Sequence, residues 1–215
     1  YLDRGSGNDS IYGGNGNDII IGGSGADSMH GEGDIDTLSY VTDTTGVNVN
    51  LATGSASGGD ATGDTFDGFE NLTGGSGNDT LTGDANNNVL TGGAGNDTLV
   101  SGGGDDTLIG GDGNDTLTMG TAAGDGGSAS GGAGNDTFYI NENQFGEYAA
   151  DAIDGGTGDD TVHITSDGNL SESALVNALT NMETLHVRDL NVVANLSLTR
   201  AQVQAMTDED NVLTI

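Results

Sequence analysis

The chain has 215 residues, with 41 Gly, 4 Phe, 5 Tyr, and no Pro, Cys or Trp, and its 34 acidic residues face only 3 basic ones for a formal net charge of −31. So few basic side chains exclude nucleic acid as a partner, because phosphate binding needs Lys and Arg, and the missing Cys excludes disulfides and thiolate metal sites. No run approaches the roughly 18 apolar residues of a membrane span, and too few aromatics remain for a thick conventional core.

Four nine-residue units open the chain: RGSGNDSIY (4–12), GGNGNDIII (13–21), GGSGADSMH (22–30) and the degraded GEGDIDTLS (31–39). Their sixth positions carry Asp9, Asp18, Asp27 and Asp36, and their eighth positions Ile11, Ile20, Met29 and Leu38. A disordered acidic tail does not space its acids this way, so these acids read as ligands rather than as a solvated charge run. Residues 1–39 are therefore a first repeat block. No signal peptide is visible, and the start inside a repeat is what a piece of a longer chain would show.

Residues 40–73 break the period and read as an insertion. Val47, Val49 and Leu51 alternate with Asn48 and Asn50, which predicts a half-buried strand. The Gly, Ser and Thr-rich stretch 53–63 predicts a surface loop, and Asp64, Phe66, Phe69 and Leu72 lead back as one or two irregular coils.

A second block spans 74–163. It opens with GGSGNDTLT (74–82) and the weak GDANNNVLT (83–91), followed by GGAGNDTLV, SGGGDDTLI and GGDGNDTLT in unbroken register over 92–118. Residues 119–130 fill one slot with three residues too many. GGAGNDTFY (131–139) resumes the pattern, and GGTGDDTVH (155–163) ends it after a further break over 140–154. In 164–215 the Gly content falls. Short helices are predicted over Ser171 to Leu179 and Ala201 to Met206 from capping signals, with strands over Met182 to Val187, Val192 to Leu198 and Val212 to Ile215. This segment reads as a cap or a continuation of the stack. Its hydrophobic last strand leads us to expect more chain beyond it.

The unit Gly-Gly-x-Gly-x-Asp-x-aliphatic-x explains itself chemically. One buried aliphatic per nine residues stabilises the fold by less than ordering nine backbones costs, so something must bind the folded state selectively. Gly at positions one, two and four is expected to take positive φ and turn carbonyls inward, and Asn or Asp at five to tolerate the left-handed region. With Asp at six, the donors are hard oxygens, which suit Ca²⁺ at about 2.3–2.6 Å with 6–8 ligands and disfavour zinc or copper.

The predicted ligands are the position-two and position-four glycines with the position-six acid. In the first block they are Gly14, Gly16 and Asp18, and Gly23, Gly25 and Asp27, with Asp9 and Asp36 from its outer units. In the second block they are Gly75, Gly77 and Asp79; Gly93, Gly95 and Asp97; Gly102, Gly104 and Asp106; Gly111, Gly113 and Asp115; Gly132, Gly134 and Asp136; and Gly156, Gly158 and Asp160, with Asn88 from the weak unit. Two units make a turn, so alternate units stack about 4.8 Å apart. Asp9 should then face Asp27, and Asp18 should face Asp36. Asp79, Asp97, Asp115 and Asp136 should share one edge, with Asn88 and Asp106 forming a weaker pair on the other.

Residues 4–39 and 74–163 closely resemble the haemolysin-type calcium-binding repeats of the RTX family. The resemblance implies an all-β fold, a right-handed parallel β-roll or β-helix solenoid with interrupting insertions, here followed by a less regular C-terminal cap carrying short helices. It implies several bound Ca²⁺ ions held by turn carbonyls and Asp. It further implies a Gram-negative protein that leaves the cell unfolded through a type I secretion machine and folds outside, secreted or at the cell surface. The stretch GVNVNLATGSASGGDATGDTF followed by ENLTG is similar to segments that interrupt such arrays. Arg4, Glu32, Asp34, Asn88 and Ser101 depart from the repeat.

No catalytic constellation stands out. His30, His163 and His186 lack His-Glu-x-x-His spacing, and His30 and His163, at position nine, read as solvated outward residues. The Gly runs lack the Lys-Ser/Thr ending of a phosphate loop, and the repeat acids are already taken up by structure. The leading expectation is a non-enzymatic, calcium-dependent structural module. The alternatives are an accessory module of a polysaccharide-active enzyme such as an epimerase or lyase, with Tyr12, Phe138, Tyr139, Phe145 and Tyr148 as a glycan patch, or a surface-layer or adhesin segment that associates laterally. Asp60, Asp64, Asp67 and Asp125 are candidates for further calcium or for plain loop solvation.

Overall fold

The computed structural model describes residues 1–120, 127–141, 152–166 and 178–189. Position eight is aliphatic and its neighbours are mostly Thr, Val, Ile or Ser, so each unit has one residue to bury between two that suit an outward strand surface. The strands obey this, with Thr80–Thr82, Thr98–Val100 and Thr116–Thr118 each burying only their central Leu.

Parallel stacking of these strands builds a solenoid with two faces. One face is a nine-stranded sheet in chain order: Leu2–Asp3, Ile19–Ile21, Thr37–Ser39, Asn71–Thr73, Val89–Ala94, Asp106–Asp112, Gly127–Ala133, Ile153–Thr157 and Leu179–Thr180. The other face is divided. Ser10–Gly14, Ser28–Glu32 and Thr65–Asp67 form a short sheet. Asn48–Asn50, Thr80–Thr82, Thr98–Val100, Thr116–Thr118, Thr137–Asn141, Thr161–Ser166 and Thr184–Asp189 stack in that order in the second. The core is a pair of columns. Leu81, Leu99, Leu117, Phe138, Val162 and Leu185 lie in register on one side, and Leu38, Leu72, Leu90 and Leu108 on the other.

The insertion belongs to this stack. Thr65–Asp67 pairs with Ser28–Glu32, and Asn71–Thr73 fits between Thr37–Ser39 and Val89–Ala94. The stretch predicted as a surface loop contains a strand, Ser55–Ser57, antiparallel to Asn48–Asn50. Its Ser-Ala-Ser alternation lets Ala56 pack on the core while both Ser face out. That antiparallel strand ends the parallel ladder, which is why the face is split there. Further on, Gly127–Ala133 occupies the slot expected of 119–130, with Ala129 opposite Leu108. Thr184–Asp189 matches the strand predicted near Met182 to Val187. Leu179 is in a strand; the rest of the predicted helix from Ser171, apart from Ala178, and the elements predicted at Ala201 to Met206, Val192 to Leu198 and Val212 to Ile215 lie outside the described residues. No described helix is long and apolar enough to cross a membrane.

Each coil buries little more than one side chain from each column, so a single truncation leaves few neighbours in its own layer to compensate. Leu99 is fully buried, and Leu99→Ala should cost about 2–5 kcal/mol in calcium-saturated protein. Val100→Ala, on the half-exposed outer side, should cost less than about 1 kcal/mol. Thermal unfolding of the two variants measures the contrast.

Candidate metal centre

The position-six side chains form hydrogen-bonded columns along the solenoid. The backbone N–H of Asp79 donates to Oδ1 of Asp97 at 2.8 Å, that of Asp97 to Asp115, that of Asp115 to Asp136, and that of Asp136 to Asp160, all at 2.8 Å. In the first block Asp9 N–H donates to Asp27 and Asp18 N–H to Asp36, and Asn88 N–H donates to Asp106 at 2.7 Å. These are the stacked pairs expected from the spacing. The columns also run through residues that the repeat pattern leaves out. Asp27 N–H donates to Asp64, Asp36 N–H to Glu70, and Asp160 N–H to Glu183. The triplets Asp64-Thr-Phe and Glu183-Thr-Leu repeat the acid-Thr-hydrophobic signature of Asp136-Thr-Phe and Asp97-Thr-Leu, and that signal could have found them in the sequence.

One carboxylate oxygen is used in this ladder and the other is not. Oδ2 of Asp9, Asp27, Asp36, Asp97, Asp115, Asp136 and Asp160 is buried with no hydrogen-bond partner. An unsatisfied buried carboxylate oxygen is costly, so a repeated one calls for a ligand. For Asp36, Asp97, Asp115, Asp136 and Asp160 this oxygen lies across its own turn by the position-one glycine, where a backbone carbonyl of the next coil also arrives, and Asp27 Oδ2 likewise lies by Gly22. A Cβ on Gly92 would meet Asp97 Oδ2 together with the carbonyl oxygen of Gly110. At Gly110 the same place is held by Asp115 Oδ2 and the Gly131 carbonyl, and at Gly131 by Asp136 Oδ2 and the Gly155 carbonyl. Among the described residues no three acidic, His or Cys side chains converge on one point. A cation here would therefore be held by one carboxylate per unit and backbone carbonyls, a hard-oxygen donor set that fits calcium.

Three expectations about the turn need correction. The position-one glycines do not take positive φ; Gly92, Gly110 and Gly131 are required by space, because a Cβ would collide with the carboxylate. Position two and position four do take it, as at Gly93 with φ +119 and Gly95 with φ +121, where a Cβ would also strike the carbonyls of Gly75 and Gly77. Gly75 and Gly77 themselves are exceptions with no positive φ. Position five is not left-handed either. Its Asn side chain accepts from the next coil: Asn78 Oδ1 from Asn96 N–H at 2.9 Å, Asn96 Oδ1 from Asn114 N–H and Asn114 Oδ1 from Asn135 N–H at 2.7 Å. Among the described non-Gly residues positive φ occurs at Asn181, and at Glu32 and Asp34, which stand where the repeat has Gly. Those last two make the fourth unit the strained one.

The remaining predicted sites sort by geometry. Gly14, Gly16, Gly23, Gly25, Gly102, Gly104, Gly111, Gly113, Gly132, Gly134, Gly156 and Gly158 all have positive φ and lie in the turns beside the position-six columns. Asp18 is only partly buried. Asp67 pairs with His30 at 3.0 Å, and the Asp60 N–H donates to Asp43, whose carboxylate also accepts from Thr45 and Gly46. Asp125, Phe145 and Tyr148 lie outside the described residues. The histidines are not simply solvated, because row nine stacks them: His30 on Tyr12 at 4.7 Å, and Tyr139, His163 and His186 in file at 5.0 and 4.8 Å. Phe138 is core and Tyr12 lies on a different sheet from Tyr139, so these three do not form one patch.

Burial, with a smaller contribution from neighbouring carboxylates of the column, pushes the carboxyls of Asp97, Asp115, Asp136 and Asp160 up to about 6. Backbone N–H donation only partly opposes this. The metal-free fold therefore holds more protons than the unfolded chain, whose carboxylates titrate near about 4. The stability this contributes is full below about pH 4 and is lost as pH rises through about 6. Circular dichroism in the presence of a chelator should accordingly show β-structure increasing as pH is lowered from 7 to 4.5, the reverse of ordinary acid unfolding, and calcium affinity should weaken over the same window.

No curated protein matches the chain. Comparison with protein families matches the RTX calcium-binding nonapeptide repeat over residues 3–38, 64–99, 91–120 and 145–163, a little over half of the sequence. The matched segments contain most of the carboxylate columns and glycine turns just described, the unit 131–139 and Glu183 excepted, and the second of them starts at Asp64, the residue that carries the first block's column into the insertion. The chain belongs to the RTX calcium-binding nonapeptide repeat family, and it is a calcium-binding structural solenoid.

Proposed function

We propose that this solenoid is a calcium-gated folding module of a secreted or cell-surface bacterial protein, serving as a rigid spacer once folded. The observation that supports this reading most directly is the file of buried, unpartnered carboxylate oxygens, with a backbone carbonyl of the next coil beside those of Asp36, Asp97, Asp115, Asp136 and Asp160. We assign the ions to the position-six acids with the turn carbonyls around them: Asp9, Asp27 and Asp36 in the first block, and Asp97, Asp115, Asp136 and Asp160 in the second. The position-one carbonyls of Gly110, Gly131 and Gly155 join the position-two and position-four glycines in that assignment.

Bound calcium supplies the positive charge that buried carboxylates need in order to stay ionised and stacked. The chain's own residues do the rest. Oδ1 fixes each acid to the coil before it, the glycines keep the space beside Oδ2 free, and position five locks the turn to the coil after it. At low calcium a chain of net charge −31 repels itself, which favours the unfolded form that a type I machine would export. Outside the cell, where calcium is plentiful, the same acids drive coil formation. This account assigns the chain no catalytic role, since its repeat acids are held in the ladder and its histidines are stacked in row nine.

Far-UV circular dichroism during a calcium titration tests the switch. The spectrum should pass from largely unfolded to β between about 10⁻⁴ and 10⁻³ M, the range of extracellular modules, and an unchanged spectrum up to 10 mM, about ten times the weakest such constant, would overturn it. Asp97→Ala removes both the acceptor of the Asp79 N–H and the oxygen beside Gly110. It should reduce the calcium bound per chain in equilibrium dialysis and shift the folding midpoint to higher calcium.

A further inference from the structure

Two consecutive units do not follow the pattern of the others. In units 74–82 and 83–91, position two is Gly75 and Asp84, and neither has positive φ. Their backbone N–H groups instead donate to the position-six side chain of the same unit: Gly75 N–H to Asp79 Oδ2 at 2.7 Å, and Asp84 N–H to Asn88 Oδ1 at 2.7 Å. In units 92–100, 110–118 and 131–139, position two has φ +119, +120 and +108, and Oδ2 of Asp97, Asp115 and Asp136 has no partner. The orientation of one peptide thus separates side chains satisfied by the protein from those that are not.

Asn88 completes the substitution. Its Oδ1 lies beside the Ser101 carbonyl at Gly83, where other units place Oδ2 and a next-coil carbonyl. Its Nδ2 donates to the Glu70 carbonyl at 2.8 Å and to Asp84 Oδ1 at 3.3 Å. An amide N–H₂ therefore sits among oxygens and supplies the positive end of a dipole there. An Asp could not do this, because it has no hydrogen to give.

We propose that the coil 74–91 closes without calcium, its own N–H groups standing in for the cation, and that with the insertion beneath it this coil is a metal-independent clamp between two metal-dependent blocks. The insertion shares the property. The Tyr40 hydroxyl donates to Asp64 Oδ2, and Asp43 accepts N–H groups from Thr45, Gly46 and Asp60. It also holds the bulkier core that the thin coils lack, with Tyr40, Val47, Val49 and Phe69 buried. Apolar burial and protein hydrogen bonds carry this part of the fold, whereas the blocks on either side need a ligand. The clamp fixes the register from which both blocks stack. The calcium dependence of those blocks rests on the function proposed above, but the independence of the clamp does not.

Hydrogen exchange of the full chain, in calcium and in chelator, tests this. In chelator the amides of Thr80–Thr82 and Val89–Thr91 should exchange at least about tenfold more slowly than those of Thr116–Thr118 and Ile19–Ile21. Equal, fast exchange throughout would overturn the clamp. Protection retained in the outer blocks would instead overturn the calcium reading, so the two failures are told apart. Asn88→Asp should fold in calcium but lose the clamp's protection in chelator, and retention of the wild-type pattern would refute the role of the amide. The double change Asp84→Gly with Asn88→Asp restores the repeat's residues at positions two and six and should take up additional calcium per chain; an unchanged stoichiometry would count against the proposal.

Discussion

The structure depends on a carboxylate that is only half satisfied. At position six, Oδ1 is tied to the N–H of the preceding coil, and Oδ2 is driven into a dry turn with no donor of its own. Folding the chain in this way brings buried, like-charged groups into file, and burial raises their pKa towards 6 for Asp97, Asp115, Asp136 and Asp160. The metal-free coil is consequently opposed by its own acids at neutral pH. A divalent cation reverses the sign of that effect, because the oxygens that repel one another become shared ligands. In the function proposed above, calcium is thus bound up with folding itself rather than added to a finished fold.

Other features of the unit follow from keeping this arrangement open. The position-one glycine leaves room for Oδ2 and for a carbonyl of the next coil, so any side chain there would displace one of the two oxygens. Position five holds the turn from the opposite direction, accepting an N–H from the coil that follows while position six accepts from the coil before. The two ladders, on adjacent residues, run antiparallel in sense and together fix the rise between coils. Position eight carries most of the apolar burial within the units, and its two facing columns of Leu, Ile, Met and Phe suit a scaffold whose cohesion is largely nearest-neighbour.

The central segment shows the other solution to the same electrostatic problem. Asp79, Asn88, Asp43 and Asp64 receive donors from the protein. Asp43 illustrates the balance: burial disfavours its charge, yet N–H groups from Asp60, Gly46 and Thr45 outweigh that and draw its carboxyl below the usual range. Tyr40 pays in the opposite direction, its hydroxyl held protonated by burial and by the nearby Asp64. Hydrogen-bonded and unpartnered acids therefore divide along the chain in segments rather than being mixed.

The sequence by itself determined the period, the buried position, the stacking partners and the preference for a hard cation. Those follow from an Asp and an aliphatic at fixed offsets, and a parallel ladder allows only one register for them. Position-six pairs such as Asp97 with Asp115 were legible for that reason. The sign of φ at Gly75 was not, because Gly permits both orientations and the choice is set by the Asp43 backbone packed against it. The role of Glu70, which lacks the acid-Thr-hydrophobic triplet that marks Asp64 and Glu183, and the position-nine stack of Tyr139, His163 and His186 were likewise decided by tertiary structure. Coils of 18, 21 and 24 residues close to the same register only when the extra chain is looped out, and no local rule states where that loop will leave the next acid.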